Sequence, residues 1–221
     1  MRVKSLISGD IRFQFKYGFY LVYAFFTAVY VSLIYIFPQS WRGKAAAIMI
    51  LSDPAAIGLF FMGAIVLFEK SERVLNAIAV SPVKTGEYIV SKVVSLGIIS
   101  AAVGLVIAMS AGVENLGAVL AGILLGSAFF TLVGLTVASR ISSLNQFLAV
   151  TIPLEIIAFV PPLLYIFGYG GKLMLLHPGC EIISLISAEP GFMVLKVVLL
   201  SAWIAAAYFM MLRSVGRMFE E

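Results

Sequence analysis

A chain of 221 residues with 62% hydrophobic content, 12% charged content and a mean hydropathy of +1.09 is too apolar for water to be its main solvent, because an average soluble domain is about half apolar and a quarter charged. Its net charge of +4 comes without a basic stripe interleaved with aromatics, which excludes a nucleic-acid binder. Six spans of about 20 residues would use nearly the whole length and leave little chain for a soluble catalytic domain, while a single cysteine, Cys180, excludes an internal disulfide framework or a cysteine-rich metal site and reads as a passive thiol.

In chain order, residues 2 to 16 come first. Val3, Ile7, Ile11 and Phe15 recur every fourth residue with Leu6 beside them, and Arg2, Lys4, Ser5, Arg12 and Lys16 fill the other faces. That pattern suits a helix over 1–17 lying on an anionic membrane surface, with an ordinary basic flank as the alternative. Uncharged runs then predict spans at Gly18–Phe37, Ala45–Phe68, Val93–Val113, Leu116–Ser139, Leu144–Phe167 and Val194–Leu212. Asp53-Pro54 interrupts the second, so that its membrane portion could begin only at Pro54, and Pro153, Pro161 and Pro162 are expected to break or kink the fifth. The first span is longer than a signal-peptide core and lacks a small-residue cleavage site after it, so it is expected to be retained.

Orientation follows from the basic residues, which are held inside near span ends. With the N-terminus inside, Arg2, Lys4, Arg12, Lys16, Lys70, Arg73, Lys84, Lys92, Arg140, Arg213 and Arg217 fall on the inner side, against Arg42, Lys44, Lys172 and Lys196 outside. The expected fold is therefore all-α and integral to the membrane: one domain over 1–221 with six transmembrane helices, both termini cytoplasmic, and an outer segment at 168–192.

The loop at 69–87 is the longest charged loop. Glu72 and Arg73 precede Val74, Leu75 and Ile78 on one face, and Ser81-Pro82 stops the pattern, which describes a short amphipathic helix able to dock into a groove. The run from Glu72-Arg73-Val74-Leu75 through Ser81-Pro82-Val83 to Glu87-Tyr88-Ile89-Val90-Ser91-Lys92 resembles the small permeases of ABC-2 type ATP-binding-cassette exporters, drug-exporter permeases more than the heme-exporter permease of cytochrome c maturation. The six-span layout extends the resemblance over most of the chain. It implies that the loop is a coupling helix seated on a separate ATPase subunit and that the N-terminal helix is an elbow. It also implies that two permease copies, a homodimer, work with two ATPases in a prokaryotic cytoplasmic membrane. Val74, Leu75 and Ile78 are then the docking residues, and Glu72 and Arg73 the rim charges.

No phosphate-cradling loop occurs, since Ile166 stands where Gly168-Tyr169-Gly170-Gly171-Lys172 would need its first glycine. The chain itself is thus expected to be no enzyme and to hold no cofactor or metal, with ATP and Mg on the partner. His177-Pro178-Gly179 reads as a turn rather than a ligand set. Glu155 is the one carboxylate expected near mid-membrane, either lining the path toward a cationic substrate or proton, or satisfying backbone freed by Pro153 or held at a dimer interface. Ala118, Gly122 and Gly126 repeat every four residues and predict close helix packing within the chain or with a second copy. The function expected is export of a hydrophobic or amphipathic molecule such as a drug or lipid. The alternatives are a proton-coupled secondary transporter using Glu155 and a membrane protein that only recruits a cytoplasmic partner.

Overall fold

The computed structural model describes residues 2–74, 78, 80–189, 191 and 193–218, and among these all regular structure is helical. The elements are α1 (Arg2–Lys16), α2 (Phe19–Ile36), α3 (Gln39–Ser52), α4 (Ile57–Ser71), α5 (Thr85–Ser110), α6 (Leu116–Ala138), α7 (Leu144–Ile166), a 3-10 turn (Lys172–Leu176), α8 (Pro178–Ile186) and α9 (Met193–Met218). Six helical stretches are long and apolar enough to cross a bilayer: α2, α3 with α4 as one interrupted span, α5, α6, α7 and Met193–Ser214 of α9. Helices satisfy the backbone internally, which hydrocarbon demands of any spanning segment.

Differences from the expected boundaries have local causes. The second span begins at Gln39, well before Ala45, because Arg42 turns back to the preceding carbonyls, its Nε donating to Phe37 O at 3.2 Å. It breaks at Asp53–Ala56, where Pro54 has no N–H to give and Ala55 N donates to Ile50 O at 2.8 Å. The third span starts at Thr85 rather than Val93, since Glu87 accepts from the Lys84 N–H at 2.9 Å and opens the helix there, bringing Lys92 inside it. The fifth, expected to break or kink, is not broken and runs as one helix through all three prolines. Pro161 and Pro162 withhold the N–H groups due to the Ile157 and Ala158 carbonyls, and the start of α8 covers both. The His177 ring turns to the Ile157 carbonyl, and Gly179 lies so close that a Cβ would stand 2.5 Å from Ala158 O.

The core is built by α4, α5, α6 and α8, with α2, α7 and α9 around it. Their outward faces carry Leu21, Phe25, Ile156, Ile157, Val198 and Phe209, apolar side chains that hydrocarbon solvates. The tightest crossing is α4 on α6, where a Cβ at Gly134 would collide with the Gly58 carbonyl and one at Gly58 with the Thr131 backbone. Only glycine lets two backbones approach this closely.

Candidate functional site

At the end of the bundle that carries α1, three distant residues converge. Lys92 on α5 pairs with Asp10 of α1 at 2.6 Å and with Glu69 at the end of α4, whose other oxygen accepts the Tyr88 hydroxyl at 2.6 Å. Lys92 is 3% exposed and Tyr88 1%. A buried cation holding two carboxylates needs good geometry to offset desolvation, and removing one partner strands the rest. This joint fixes the facing side of α1: Leu6, Asp10, Phe13 and Gln14 turn inward, while Phe15, expected on the apolar face, is exposed and stacks on Tyr20 at 4.1 Å.

The joint roofs a cavity of about 300 Å3 whose walls include Leu6, Phe13, Phe68, Val74, Ile78 and Tyr88. Of the expected docking residues, Glu72, Arg73 and Val74 are exposed, whereas Ile78 is half-buried against the bundle, and Leu75 lies outside the described residues. Arg73 sits at φ 55, a left-handed conformation rare outside glycine that turns the chain sharply out of α4. Around it the same end is stitched by cations. Lys70 Nζ donates to Ile141 O at 2.8 Å, and Arg140 reaches Ser214 Oγ at 2.9 Å, tying α4 to the α6–α7 link and α6 to α9.

A carboxylate that sequence reasoning used only as a helix breaker occupies the gap in the second span. Asp53 accepts the Tyr30 hydroxyl at 2.9 Å and lines a cavity of about 280 Å3 with Tyr23, Phe26, Phe60 and Phe61. Glu155 is therefore not the one carboxylate within the spans. It stands half-buried on α7, one turn from Thr151. The signal for Asp53 was present, an acid beside proline inside an apolar run.

The small-residue face of α6 meets this chain's own α8: Gly122 faces Leu185 and Ile186, and Gly126 faces Ile182 and Ala55, while Ala118 is buried one turn earlier. Small residues there let α8 sink fully into the bundle. His177 begins α8 as its N-cap, its Nδ1 accepting from Gly179 N at 3.2 Å, and burial holds the imidazole below its ordinary pKa. Burial pushes the Cys180 thiol up to about 11, which keeps it inert. Glu181 is 1% exposed and its carboxyl is raised to about 7, chiefly by burial, with Lys196 opposing. Beside α8, an apolar cavity of about 500 Å3 is lined by Phe129, Phe130, Leu154, Ile157, Leu176 and Trp203, within the size and composition of small-molecule sites. Phe130 stacks on Phe159 and Phe159 on Phe60, at 5.7 and 6.4 Å, a row of rings running from this cavity to the one at Asp53. Among the described residues no group of His, Cys, Asp and Glu could hold a metal.

A family model described as "Fluoroquinolones export permease protein family" matches residues 1–216. Two curated proteins of Mycobacterium tuberculosis, from strains CDC 1551 and H37Rv, both called fluoroquinolones export permease protein, are each 30% identical to this chain over 93% of it and 92% of their own length. With six apolar spans among the described residues and these matches over nearly its whole length, the chain belongs to the fluoroquinolones export permease protein family.

Proposed function

We propose that this chain is the membrane subunit of an ATP-driven ABC-2 type exporter, moving amphipathic aromatic molecules, fluoroquinolones among them, out through a prokaryotic cytoplasmic membrane. Two copies pair with two separate ATPase subunits that carry ATP and Mg. Both termini and the 69–87 loop face the cytoplasm, and the loop seats on the ATPase with Glu72 and Arg73 outward and the exposed part of Val74 on the docking face with Leu75.

The observation that carries this reading is the Lys92 joint. The loop leaves α4 two residues after Glu69 and enters α5 seven residues before Lys92, and those two residues are locked to each other and to α1. A pull on the loop is therefore delivered to two spans and the N-terminal helix together, which is what rigid-body rocking of a permease half requires. The substrate class is supported by the names of the relatives and by the aromatic row between the cavities.

The test is purification from native cells in mild detergent, with ATPase activity assayed in the eluate for the wild type and for Val74→Asp. An ATPase that accompanies the wild type, with hydrolysis no longer stimulated by substrate in the variant, is the expected result. Absence of any ATPase from the wild-type eluate removes the exporter reading and returns Glu155 to the front as a proton site.

A further inference from the structure

The cavity at the break of the second span has the chemistry of a cation site. Asp53 lies between the two helical halves of that span, away from either of its ends. The Tyr30 hydroxyl donates to it at 2.9 Å, and the buried Tyr23 hydroxyl, which makes no hydrogen bond within the fold, lies on the wall of the same cavity. That phenol donor serves one of its two oxygens. Yet among the described residues no Lys, Arg or His stands within ion-pair distance of it, since both ion pairs belong to Lys92. The Lys92 joint and this site thus treat the same problem oppositely, one holding its cation permanently and the other leaving the position opposite Asp53 to something that arrives.

The walls say what arrives. Tyr23 and Phe61 lie 5.5 Å apart, Phe26 and Tyr30 6.3 Å apart, and Phe60 closes the far side. Aromatic faces around one carboxylate attract an alkylated ammonium, whose charge is spread over carbon and is shed from water easily. Phe26 and Phe60 are 42% and 38% exposed, so the mouth opens onto the bilayer between α2 and α4, and a ligand enters from the membrane and not from water. The volume of about 280 Å3 admits an amine with one ring and leaves the rest of a larger amphiphile outside.

The geometry points to a binding site for the protonated or quaternary amine of a membrane-dissolved aromatic amphiphile, held by Asp53 and the rings of Tyr23, Phe26, Tyr30, Phe60 and Phe61. This deepens the exporter reading and rests on it for calling the ligand a substrate. An anionic or neutral aromatic gains nothing from the Asp53 carboxylate, so selectivity for positive charge is built in.

The experiment uses the full chain in nanodiscs of phosphatidylglycerol, which offers no competing amine. The probes are benzyltrimethylammonium and its neutral isostere neopentylbenzene, which replaces the charged nitrogen with carbon. Binding is read by ligand-observed NMR. Wild type is expected to bind the cation at least tenfold more tightly than the isostere, and Asp53→Asn to abolish that preference while leaving the isostere within twofold. Phe26→Leu shortens a ring that is 42% exposed and keeps an apolar side chain there; it is expected to weaken the cation severalfold and guards against Asp53→Asn failing to fold. Equal binding of the two probes, or unchanged cation affinity in both variants, overturns the proposal. So does competition by phosphatidylethanolamine, which would assign the site to a lipid headgroup. The assay requires neither ATPase nor transport. A charge-selective site without an ATPase partner would leave the site standing and remove the exporter, whereas ATP-driven efflux with no charge selectivity in binding would do the reverse.

Discussion

The two ends of the bundle bury ionisable groups in opposite ways. At the α1 end Lys92 is caged by Asp10 and Glu69, so charge is retained and spent on joining three helices. At the α8 end Glu181 is buried almost completely among apolar neighbours with one oxygen lacking any hydrogen-bond partner, and Lys196 acts on it only from beyond ion-pair distance. Of the other elements packed on α8, α7 carries Glu155 and Tyr165, the latter donating to Glu189 at 2.7 Å, α3 carries Arg42 and Lys44, the 3-10 turn carries Lys172, and α6 has no titratable side chain. The lesson is mechanical. A paired cluster couples the elements that own its members, while an isolated carboxyl makes its helix sensitive to pH and tolerant of replacement by a neutral isostere.

The sharpest way to break this contrast is Lys92→Met. It leaves two carboxylates buried without a counter-charge, and the expected loss is about 3–5 kcal/mol, seen as poor expression or a sharply lowered melting temperature in detergent. Adding Asp10→Asn and Glu69→Gln to the same chain is expected to recover most of that loss, because the stranded charges go with the cation. A Lys92→Met variant that melts like the wild type would show that the cluster joins nothing.

At the other end the sign is reversed. The folded protein holds the Glu181 carboxyl at about 7, above the ordinary carboxylate value, so the fold favours its protonated form. Its contribution is fully present at pH below about 4.5, where the unfolded chain is also protonated, and is lost as pH rises through about 7, a span of up to about 3 kcal/mol. Wild type is therefore expected to melt at lower temperature at pH 8 than at pH 5, and Glu181→Gln to flatten that difference. A variant that keeps the full pH dependence would place its origin elsewhere.

The same contrast explains which parts of the molecule were legible in the sequence. The six spans were, because each is an uncharged run of sufficient length and hydrocarbon gives such runs only one use. Of the loop at 69–87 only its place was: α4 runs on to Ser71 and α5 opens at Thr85, and the amphipathic helix read between them falls partly on residues outside the described ones. The joint was not. Lys92 counted as a solvated flanking charge, and nothing local relates it to Asp10, 82 residues away, since only the packing of α1 on α5 brings them together. The packing role of Ala118, Gly122 and Gly126 was readable from their spacing, but not the partner, because α8 belongs to a segment whose short length and polar flanks gave no span signal. Asp53 was visible as a break and overlooked as a charge, and the prolines of α7 overstated its disruption because the covering role of His177 and Gly179 depends on a contact across the α7–α8 link.

The smallest effect is expected at Glu155, the carboxylate that the sequence made most prominent. It is half-buried on a helix whose neighbours Ile156 and Ile157 face outward at 59% and 62% exposure, it forms neither of the two ion pairs, and the aromatic cavity gathers around Asp53 instead. A carboxyl in that position can be hydrated or protonated without rearranging the bundle, and its amide replacement has nearly the same shape. Glu155→Gln is accordingly expected to change melting by less than about 0.5 kcal/mol, typical of a site outside any buried network, and to leave drug efflux in whole cells within twofold of wild type, while Asp53→Asn lowers it for cationic drugs. Efflux that collapses with Glu155→Gln and survives Asp53→Asn would exchange the two roles and place the charge-sensing step on α7.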